Sequence, residues 1–328
     1  GGAGLAEAAQ VVQRLSEVCG STAMVVLMHY AASAVINSAG HEGARQALGR
    51  GELTSLAFSE GGTRSQFWAT QSTAAPAGPR DAGDPGDASI RIDARKSWVT
   101  SAGEADSYVW STLPLAAEGP MTLWLVPADG AGISPPGKFD GLGLRGNGSA
   151  PLTATDLRLD KGAMLGEDGK GLDLALAAVL PWFLVLSGAF CVGLMEAVTS
   201  ESIKHLSTTR LEHLDQTLVE QPITRANLAW MRVTTDASAA LVTDTLAALG
   251  ASRPDAMLRV LEVKANAGEA AANVADMAMK VSGGAAFRKE LGIERRFRDS
   301  RAARVMAPTT DALLDFVGRA ISGLPLLG

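Results

Sequence analysis

The longest apolar run of the chain extends from Leu172 to Met195, and it constrains the fold more than any other stretch. Its length alone would allow a membrane span, because a spanning helix needs about 20 apolar residues. The run also contains Asp173, Pro181 and several small residues, which are more typical of a helix packed inside a protein. We therefore predict a buried bundle helix and no membrane-spanning segment.

The sequence changes character twice along its length. Residues 1–52 are mostly apolar at helical spacing, residues 53–166 contain short β-prone segments separated by Gly, Pro and Asp, and residues 167–328 are again helical in pattern. We expect an α+β protein with an N-terminal helical domain, a central β-barrel or sandwich domain and a C-terminal four-helix bundle. Residues 74–87 are rich in Ala, Pro, Gly and Asp, and this composition predicts an exposed irregular loop.

The C-terminal part is expected to contain four helices with recognisable ends. Gly283 and Gly284 would end the third helix, because glycine readily adopts the conformation that closes a helix. Thr309 or Thr310 would begin the fourth, since a threonine hydroxyl can accept a free N–H of the first turn. The four predicted ranges are 172–209, 221–249, 254–281 and 310–322.

Charge and cysteine content exclude several classes of function. The net charge of −6 argues against a nucleic-acid surface, which requires a basic stripe. Cys19 and Cys191 are too few for a disulfide framework and have no metal-ligand spacing, so we interpret them as buried thiols and expect no metal site. No basic segment precedes the first apolar run, and the expected location is therefore the cytoplasm.

Several segments carry more specific information. They read SLAFSEGGTRS at 55–65, KSWVTSAGEAD at 96–106, HLSTTRLEHLDQTLVEQPI at 205–223, AANVADMAMKVSGG at 271–284 and RRFRDSRAARVMAPTTD at 295–311. In this order they resemble motifs of the acyl-CoA dehydrogenase flavoproteins, over essentially the whole chain. The resemblance implies that family's fold, with residues 1–52 as an N-terminal helical domain that lacks the family's first helices.

The resemblance also implies an FAD site. Trp98 would pack on the flavin ring and Thr100 would bond its N5 side, whereas Arg210 would reach the pyrophosphate of FAD in a neighbouring subunit. Asp311 matches less well, because a carboxylate is repelled by a pyrophosphate; it would instead cap the helix or bond a ribose hydroxyl. Taken alone, each of these residues could equally be an ordinary strand or helix residue. The implied cofactor-binding residues are Phe58, Ser59, Trp98, Thr100, Arg210, Gln221, Gly283, Gly284, Thr309 and Asp311.

The catalytic glutamate of the family has no counterpart in the matching segments. Ala307 stands at its usual position, and Phe183 stands at a second position that some family members use. A general base at either place would contribute about 10²–10⁴-fold to the rate of α-proton removal. Glu60 and Glu104 are acidic residues elsewhere that lack a family precedent. The substrate pocket implied by the resemblance contains Ser65, Trp182, Phe183 and Met306.

Three functions remain compatible with an intact scaffold and no glutamate. The first is an FAD-dependent oxidoreductase acting on an acyl thioester or a related small molecule, with a base located elsewhere or in another subunit. The second is a monooxygenase of the same fold that uses reduced flavin, including FMN, with O₂ and a flavin reductase. The third is a non-catalytic FAD-binding subunit of a heteromeric dehydrogenase. We expect a homodimer or homotetramer, or a hetero-oligomer with a related subunit, and an electron acceptor for the first function.

Overall fold

The structure is a computed structural model that describes residues 3–64, 66–77, 90–134 and 136–327. The chain forms two compact units. We call them the β-unit, which contains Val25–Asp140 and Arg145–Phe183, and the helical unit, which contains the residues up to Met24, Gly141–Leu144 and Leu184–Gly328. These units do not coincide with the three parts expected from the sequence, because their boundaries fall inside two helices.

Three helices precede the first strand, as the apolar spacing predicts. They are α1 (Leu5–Val18), α2 (Gly20–Ala39) and α3 (Glu42–Gly49). The Glu7 carboxylate accepts the N–H of Gly4 at 2.8 Å before α1, and His41 Nδ1 accepts the N–H of Ala44 at 3.2 Å at the start of α3. Both contacts satisfy N–H groups that a helix start leaves without a partner.

The β-unit contains two sheets around one apolar core. One sheet has the strand order β1 (Thr54–Ala57), β4 (Ser107–Thr112), β5 (Thr122–Pro127) and β7 (Met164–Leu165), and the other has β2 (Thr73–Pro76), β3 (Ile90–Val99) and β6 (Ala150–Leu159). Only the β1–β4 pair is parallel among these described strands. Residues of both sheets share the core, including Ile92, Trp110, Trp124 and Leu152, which is the arrangement of a sandwich.

The predicted loop at 74–87 needs one correction. Residues 74–76 belong to strand β2, which pairs antiparallel with β3 so that Ala74 lies opposite Ile92 and Pro76 opposite Ile90. The side of β2 that faces away from β3 tolerates proline, because an edge strand does not need every backbone N–H for pairing. The remainder of the predicted loop, from residue 78, lies outside the described residues.

Asp168 connects two loops of the β-unit through one carboxylate. It accepts the backbone N–H groups of Leu115, Ala116 and Ala117, each at 2.8 Å, and the hydroxyl of Thr122 at 2.5 Å. Burial alone would raise the pKa of Asp168, but these hydrogen bonds outweigh it and lower the pKa to about 2.

Replacement of Asp168 by Asn is expected to lower the unfolding free energy by about 1–3 kcal/mol at pH 7, because one oxygen acceptor is lost in a charge-assisted network. Because folding lowers the pKa of Asp168, its carboxylate stabilises the fold at pH values above the unfolded-state pKa, near 3.9. This stabilisation disappears as the pH falls toward 2. The difference between wild type and variant should therefore shrink between pH 4 and pH 2 in urea titrations. Asp173→Asn, at an exposed carboxylate, is the matched control; an equal effect there would contradict the assignment.

Five helices form most of the helical unit, and the part of the first one that precedes Leu184 belongs to the β-unit. The segment predicted as one helix at 172–209 consists of α4 (Gly171–Leu174), a π-helical turn at Ala175–Val179 and α5 (Leu180–Thr208). The remaining helices are α6 (Pro222–Gly250), α7 (Ala256–Ser282), α8 (Ile293–Val305) and α9 (Thr310–Ile321), and a short hairpin of β8 (Arg210–Leu211) and β9 (Gln216–Thr217) follows α5. Helix α8 was not expected from the sequence, whereas the others confirm the predicted bundle within a few residues.

Pro181 explains the π-helical turn. A proline inside a helix has no N–H to donate, and its ring collides with the carbonyl oxygen four residues earlier, here in Ala177. A turn with one additional residue separates these groups without ending the helix. The helix therefore continues through the apolar run but changes its winding at Ala175–Val179.

Two helical segments of the described chain are long and apolar enough to cross a membrane by composition. They are Gly20–Ala39 and Gly171–Thr208, with mean hydropathies of 1.3 and 2.2. In the second segment, 72% of the most apolar window is buried within the protein, which is typical of a core helix of a bundle. This burial supports the interpretation of the Leu172–Met195 run as a bundle helix.

Candidate functional site

The end of strand β1 lies beside strand β3 in the β-unit. Phe58 is buried and stacks on Phe67, with 6.4 Å between the ring centroids. The carbonyl oxygen of Ser59 accepts the N–H of Ser97 at 2.9 Å. The two predicted flavin-facing segments, 55–65 and 96–106, are thereby joined by main-chain bonding directly next to Trp98. Ser65 lies outside the described residues.

A buried ion pair fixes the same two segments. The ammonium group of Lys96 contacts the Glu60 carboxylate and also donates to the carbonyl and hydroxyl oxygens of Ser111 at 2.7 and 2.9 Å. Glu60 additionally accepts the hydroxyl groups of Thr70 and Ser72 at 2.6 and 2.8 Å. Every strong hydrogen-bonding group of the pair is therefore satisfied, as a buried pair requires.

The charges of this pair persist at neutral pH. Burial disfavours both ionised groups, but attraction to Lys96 and the surrounding donors keep the pKa of Glu60 below its usual value. Burial outweighs the attraction of Glu60 and lowers the pKa of Lys96 to about 8. Glu60 is consequently an ionised structural group inside the β-unit, which removes it as a candidate for an accessible base. Glu104 lies on the surface, and its backbone N–H donates to Ser101.

Trp98 presents its ring to the surface in an unusual backbone conformation. Its φ angle is +55° and its exposed fraction is 68%, at an irregularity in the pairing of β3 with β6 between Lys96 and Val99. A bulky residue rarely adopts positive φ, and such strained conformations occur in tight turns and cluster at functional sites. An exposed indole offers a large flat apolar surface, which suits the stacking role predicted for Trp98.

Thr100 is buried close to Trp98. Its hydroxyl lies 3.2 Å from the hydroxyl of Ser149, and either oxygen can be the donor. A hydroxyl has one donor and two acceptor positions, so this bond leaves capacity for a second partner. The predicted role of Thr100 at the N5 side of a flavin stays a prediction.

Arg210 and Gln221 lie at the hairpin that follows α5 in the helical unit. The Arg210 guanidinium contacts the Asp215 carboxylate and donates to the Asp215 carbonyl oxygen at 3.2 Å, and the Gln221 side chain donates to Gln216 at 2.8 Å. Both members of the Arg210–Asp215 pair are solvent-accessible, so the pair contributes little stability and can exchange its partner. The arginine therefore remains suited to a phosphate, although Asp215 competes for it.

The two other predicted cofactor segments flank helices α7 and α9. Gly283 ends α7 with a φ angle of +56°, which confirms the predicted helix end, and a Cβ added at Gly283 or Gly284 would meet no described atom within 4 Å. Thr309 is the N-cap of α9, where its hydroxyl accepts the N–H of Ala312 at 3.4 Å. Asp311 is exposed in the first turn, where its charge is favourable for the helix dipole, but the capping residue of α9 is Thr309 and not Asp311.

The predicted pocket residues have contrasting environments. Phe183 is buried and Trp182 half-buried, both within the β-unit. Met306 is half-buried in the helical unit, directly after α8, and Ala307 next to it is also half-buried. No acidic side chain therefore stands at either predicted base position.

Sequence reasoning missed Lys264 on α7, which contacts the turn that carries Ala307. Its ammonium group donates to the carbonyl oxygens of Ala303, Met306 and Pro308 at 3.1, 3.1 and 2.8 Å. The available signal was a single lysine among the small apolar residues at 263–272. The pairing of Lys96 with Glu60 was also missed, because each residue lies inside a motif whose other residues attracted the interpretation.

Comparison with known proteins agrees with this architecture. Residues 169–322 match the family model described as acyl-CoA dehydrogenase, C-terminal domain. The whole chain superposes on butyryl-CoA dehydrogenase from Megasphaera elsdenii with a TM-score of 0.87 at 20% identity, covering 98% of this chain and 83% of that one. The chain therefore has the acyl-CoA dehydrogenase fold, and residues 169–322 are similar to the C-terminal domain of that family.

Other proteins of the acyl-CoA dehydrogenase fold are also similar to this chain. The chain is 26% identical to the mitochondrial short-chain specific acyl-CoA dehydrogenase of Homo sapiens over 258 residues, which are 78% of this chain and 60% of that protein. A solved FAD-dependent dehydrogenase gives a TM-score of 0.85 at 21% identity, covering 98% of this chain and 86% of that one. The chain thus spans about 60% of the length of the first curated relatives it matches.

The residues of each unit fit the flavin that the acyl-CoA dehydrogenase family implies. The β-unit provides the exposed Trp98 ring. In the helical unit, the hydroxyl groups of Ser282 and Thr310 are buried without a hydrogen-bond partner among the described residues. Such orphaned groups cost about 1–3 kcal/mol each unless a ligand or water completes them. They lie next to Gly283 and Thr309, so the two segments predicted to bind the cofactor retain unused polar groups.

Proposed function

We propose that the protein is an FAD-dependent oxidoreductase that acts on an acyl thioester or a related small molecule, without a glutamate at the usual base position. The observation that carries this proposal is the exposed Trp98 ring at positive φ, held in place by the buried Lys96–Glu60 pair on an acyl-CoA dehydrogenase scaffold. The named relatives act on acyl-CoA substrates, which supports the same substrate class here.

The chain's own residues would divide the work of binding. Trp98 supplies an apolar wall, Arg210 a positive charge for a phosphate, and the N-terminus of α9 further N–H groups for an anionic ligand. When bound, the flavin accepts the two electrons and the β-hydrogen that leave the substrate. The α-proton has no acceptor at Ala307 or Phe183, so its removal falls to another group, including a group of a second subunit.

A second candidate function follows from those two apolar positions. Phe183 is buried and Ala307 has no polar atom in its side chain, so neither position supplies a base, and the apolar surroundings of Phe183 favour exclusion of water. This environment suits a monooxygenase that uses reduced flavin, as FAD or FMN, and O₂. A third candidate, supported by the same substitution, is a non-catalytic FAD-binding subunit of a heteromeric dehydrogenase.

The assembly and location belong to the same proposal. We propose a dimer or tetramer, or a complex with a related subunit, in the cytoplasm and without a membrane or nucleic-acid partner. The exposed apolar residues of α6, among them Ile223, Trp230 and Val233, support a subunit contact along that helix. An electron acceptor would serve the dehydrogenase function, and a flavin reductase would serve the monooxygenase function.

Anaerobic mixing of the FAD-loaded protein with a panel of acyl-CoA thioesters tests the proposal. Bleaching of the oxidised-flavin absorption band by any thioester is the expected result for a dehydrogenase. No bleaching in a protein that demonstrably holds FAD contradicts it and directs the next test to NADH-reduced flavin with O₂. Trp98→Ala and Trp98→Phe separate the contribution of the ring from folding: we expect weaker FAD binding in the first variant only.

A further inference from the structure

Lys264 is an unusual residue for the interior of a helical bundle. Its exposed fraction is 1%, whereas lysine is almost never fully buried unless an opposite charge accompanies it. Within the described part of the chain, no carboxylate forms an ion pair with Lys264. Without a carboxylate partner, the buried ammonium group must donate its hydrogen bonds to uncharged oxygen atoms. All of the oxygen atoms that it uses lie between residues 303 and 308.

The ammonium group uses its three donors on three main-chain carbonyl oxygens. The acceptors belong to Ala303 in the last turn of α8, Met306 directly after that helix, and Pro308 before α9, at 3.1, 3.1 and 2.8 Å. An ammonium group has three N–H bonds, so its donor capacity matches the number of acceptors. The contact joins α7 to a segment 39 to 44 residues further along the chain.

These carbonyl groups need a partner for a general reason. The last four carbonyl oxygens of a helix have no intrahelical donor, and the helix dipole places negative charge at that end. The carbonyl groups of Met306 and Pro308 follow in a turn that has no regular pairing of its own. A buried cation at this point satisfies both the end of α8 and the turn after it.

Helix α7 brings a second residue of the same face against α8. Gly268 lies one turn after Lys264, and a Cβ added there would meet the carbonyl oxygen of Ala303 at 3.4 Å and its Cβ at 3.7 Å. Residues four apart share a helix face, so Gly268 permits the close approach of α8 while Lys264 binds its end. The two residues together define where the turn begins.

We propose that Lys264 is a positioning residue, whose ammonium group holds the turn at residues 306–308 in the conformation that presents position 307 and the N-terminus of α9. The consequence for flavin binding rests on the proposed function, because Thr309 and Asp311 are the predicted contacts to the ADP part of FAD. We call the contacts of the Lys264 ammonium group to the three carbonyl groups the clamp. The clamp does not depend on the proposed function.

The charge state of Lys264 agrees with this role. Burial lowers its pKa to about 8, so the amine is protonated at neutral pH and offers all three N–H bonds. The nearby Cys191 thiol is fully buried, and its pKa is raised to about 12, which keeps it neutral. The ammonium group therefore has the carbonyl groups as its principal electrostatic partners.

Hydrogen–deuterium exchange of the full chain separates local positioning from general stability. Lys264→Met keeps the length of the side chain but removes its three donors, and Lys264→Arg keeps a charge with donors. The matched control is Val242→Ala on α6, a buried truncation in the bundle beside Val263 and Gly188, which weakens packing without removing a donor. Exchange is followed by mass spectrometry in peptides covering 303–312 and, for reference, in peptides of α6.

We expect exchange in peptides 303–312 of Lys264→Met to accelerate by about tenfold or more, with little change in Val242→Ala, because local opening sets the exchange rate of that segment. The Lys264→Arg variant should accelerate less than Lys264→Met. Equal exchange at 303–312 in Lys264→Met and wild type, or an increase no larger than in Val242→Ala, would overturn the clamp.

Equilibrium dialysis with FAD tests the consequence for the cofactor separately. The dissociation constant of FAD should rise by about tenfold in Lys264→Met and stay within about twofold in Val242→Ala. If Lys264→Met exchanges faster at 303–312 but binds FAD as tightly as wild type, Lys264 holds the turn but does not position it for FAD binding. If wild type binds no FAD, the proposed function fails, and the exchange data alone still decide whether Lys264 holds the turn.

Discussion

Replacement of Ala307 by Glu is expected to raise the rate of acyl-CoA dehydrogenation by on the order of 10²–10⁴-fold, the usual contribution of a general base. Ala307 is half-buried in the turn between α8 and α9 that Lys264 binds through the carbonyl groups on both sides of it. A side chain introduced there therefore starts from a main chain that is already fixed. The motif resemblance predicts that the same turn corresponds to the segment that carries the glutamate in acyl-CoA dehydrogenases.

The measurement is the anaerobic rate of flavin bleaching with butyryl-CoA in wild type, Ala307→Glu and Ala307→Gln. The glutamine variant is the matched control, because it has the size of glutamate without a proton acceptor. The rate of the glutamate variant should fall at acidic pH, as the new carboxylate becomes protonated. An unchanged rate in a folded, FAD-loaded Ala307→Glu protein would show that the missing base does not limit the reaction.

Replacement of Lys96 by Met is expected to lower the unfolding free energy by about 3–5 kcal/mol, the cost of removing one partner of a buried ion pair. The Glu60 carboxylate would stay behind with its hydroxyl and N–H donors but without a cation. Because Trp98 is two residues from Lys96 and Ser97 bonds to Ser59, FAD binding should weaken as well.

Urea unfolding of a double-mutant cycle tests this expectation. The variants are Lys96→Met, Glu60→Gln and the double variant, which contains neither charge. The double variant should lose less stability than the sum of the two single variants, because the second substitution removes the charge that the first leaves unpaired. Additive losses would mean that the two charges do not depend on each other. Lys170→Met, at an exposed and weakly paired lysine, controls for the substitution itself.

The long apolar helices and the β-prone strands could be predicted from the sequence, but α8 could not. Apolar periodicity detects a helix by its hydrophobic stripe, and α8 instead buries Arg296, Asp299 and Ser300. Arg296 is only 3% exposed, and its burial is stabilised by hydrogen bonds. Its guanidinium donates to the carbonyl oxygens of Ser16 and Glu17 at the end of α1, at 2.8 and 2.5 Å. These partners are 279 and 280 residues away along the chain, so the sequence around Arg296 contains no sign of them.

Some residues of the candidate site could likewise be predicted from the sequence, and others could not. Motif resemblance identified Trp98, Thr309 and Gly283, and the structure gives each a local feature that suits its predicted role. The resemblance did not identify Lys96 or Lys264, since a lysine in a strand or helix reads as a solvated charge until its distant partner is known. Buried polar contacts between remote segments were therefore the part of this site that the sequence did not reveal.

The π-helical turn at Ala175–Val179 bears on how positions beyond it are counted. One additional residue in a turn rotates everything that follows by about 100° around the helix axis. If regular α-helical spacing is counted forward from Leu172, across the π-helical turn, Phe183 is assigned the angular position that Leu184 in fact occupies. If the spacing is counted within α5 alone, no such shift arises. Trp182, Phe183 and Leu184 are all without an ionisable group, so no base stands at this position even if the alignment with homologues is shifted by one residue in either direction.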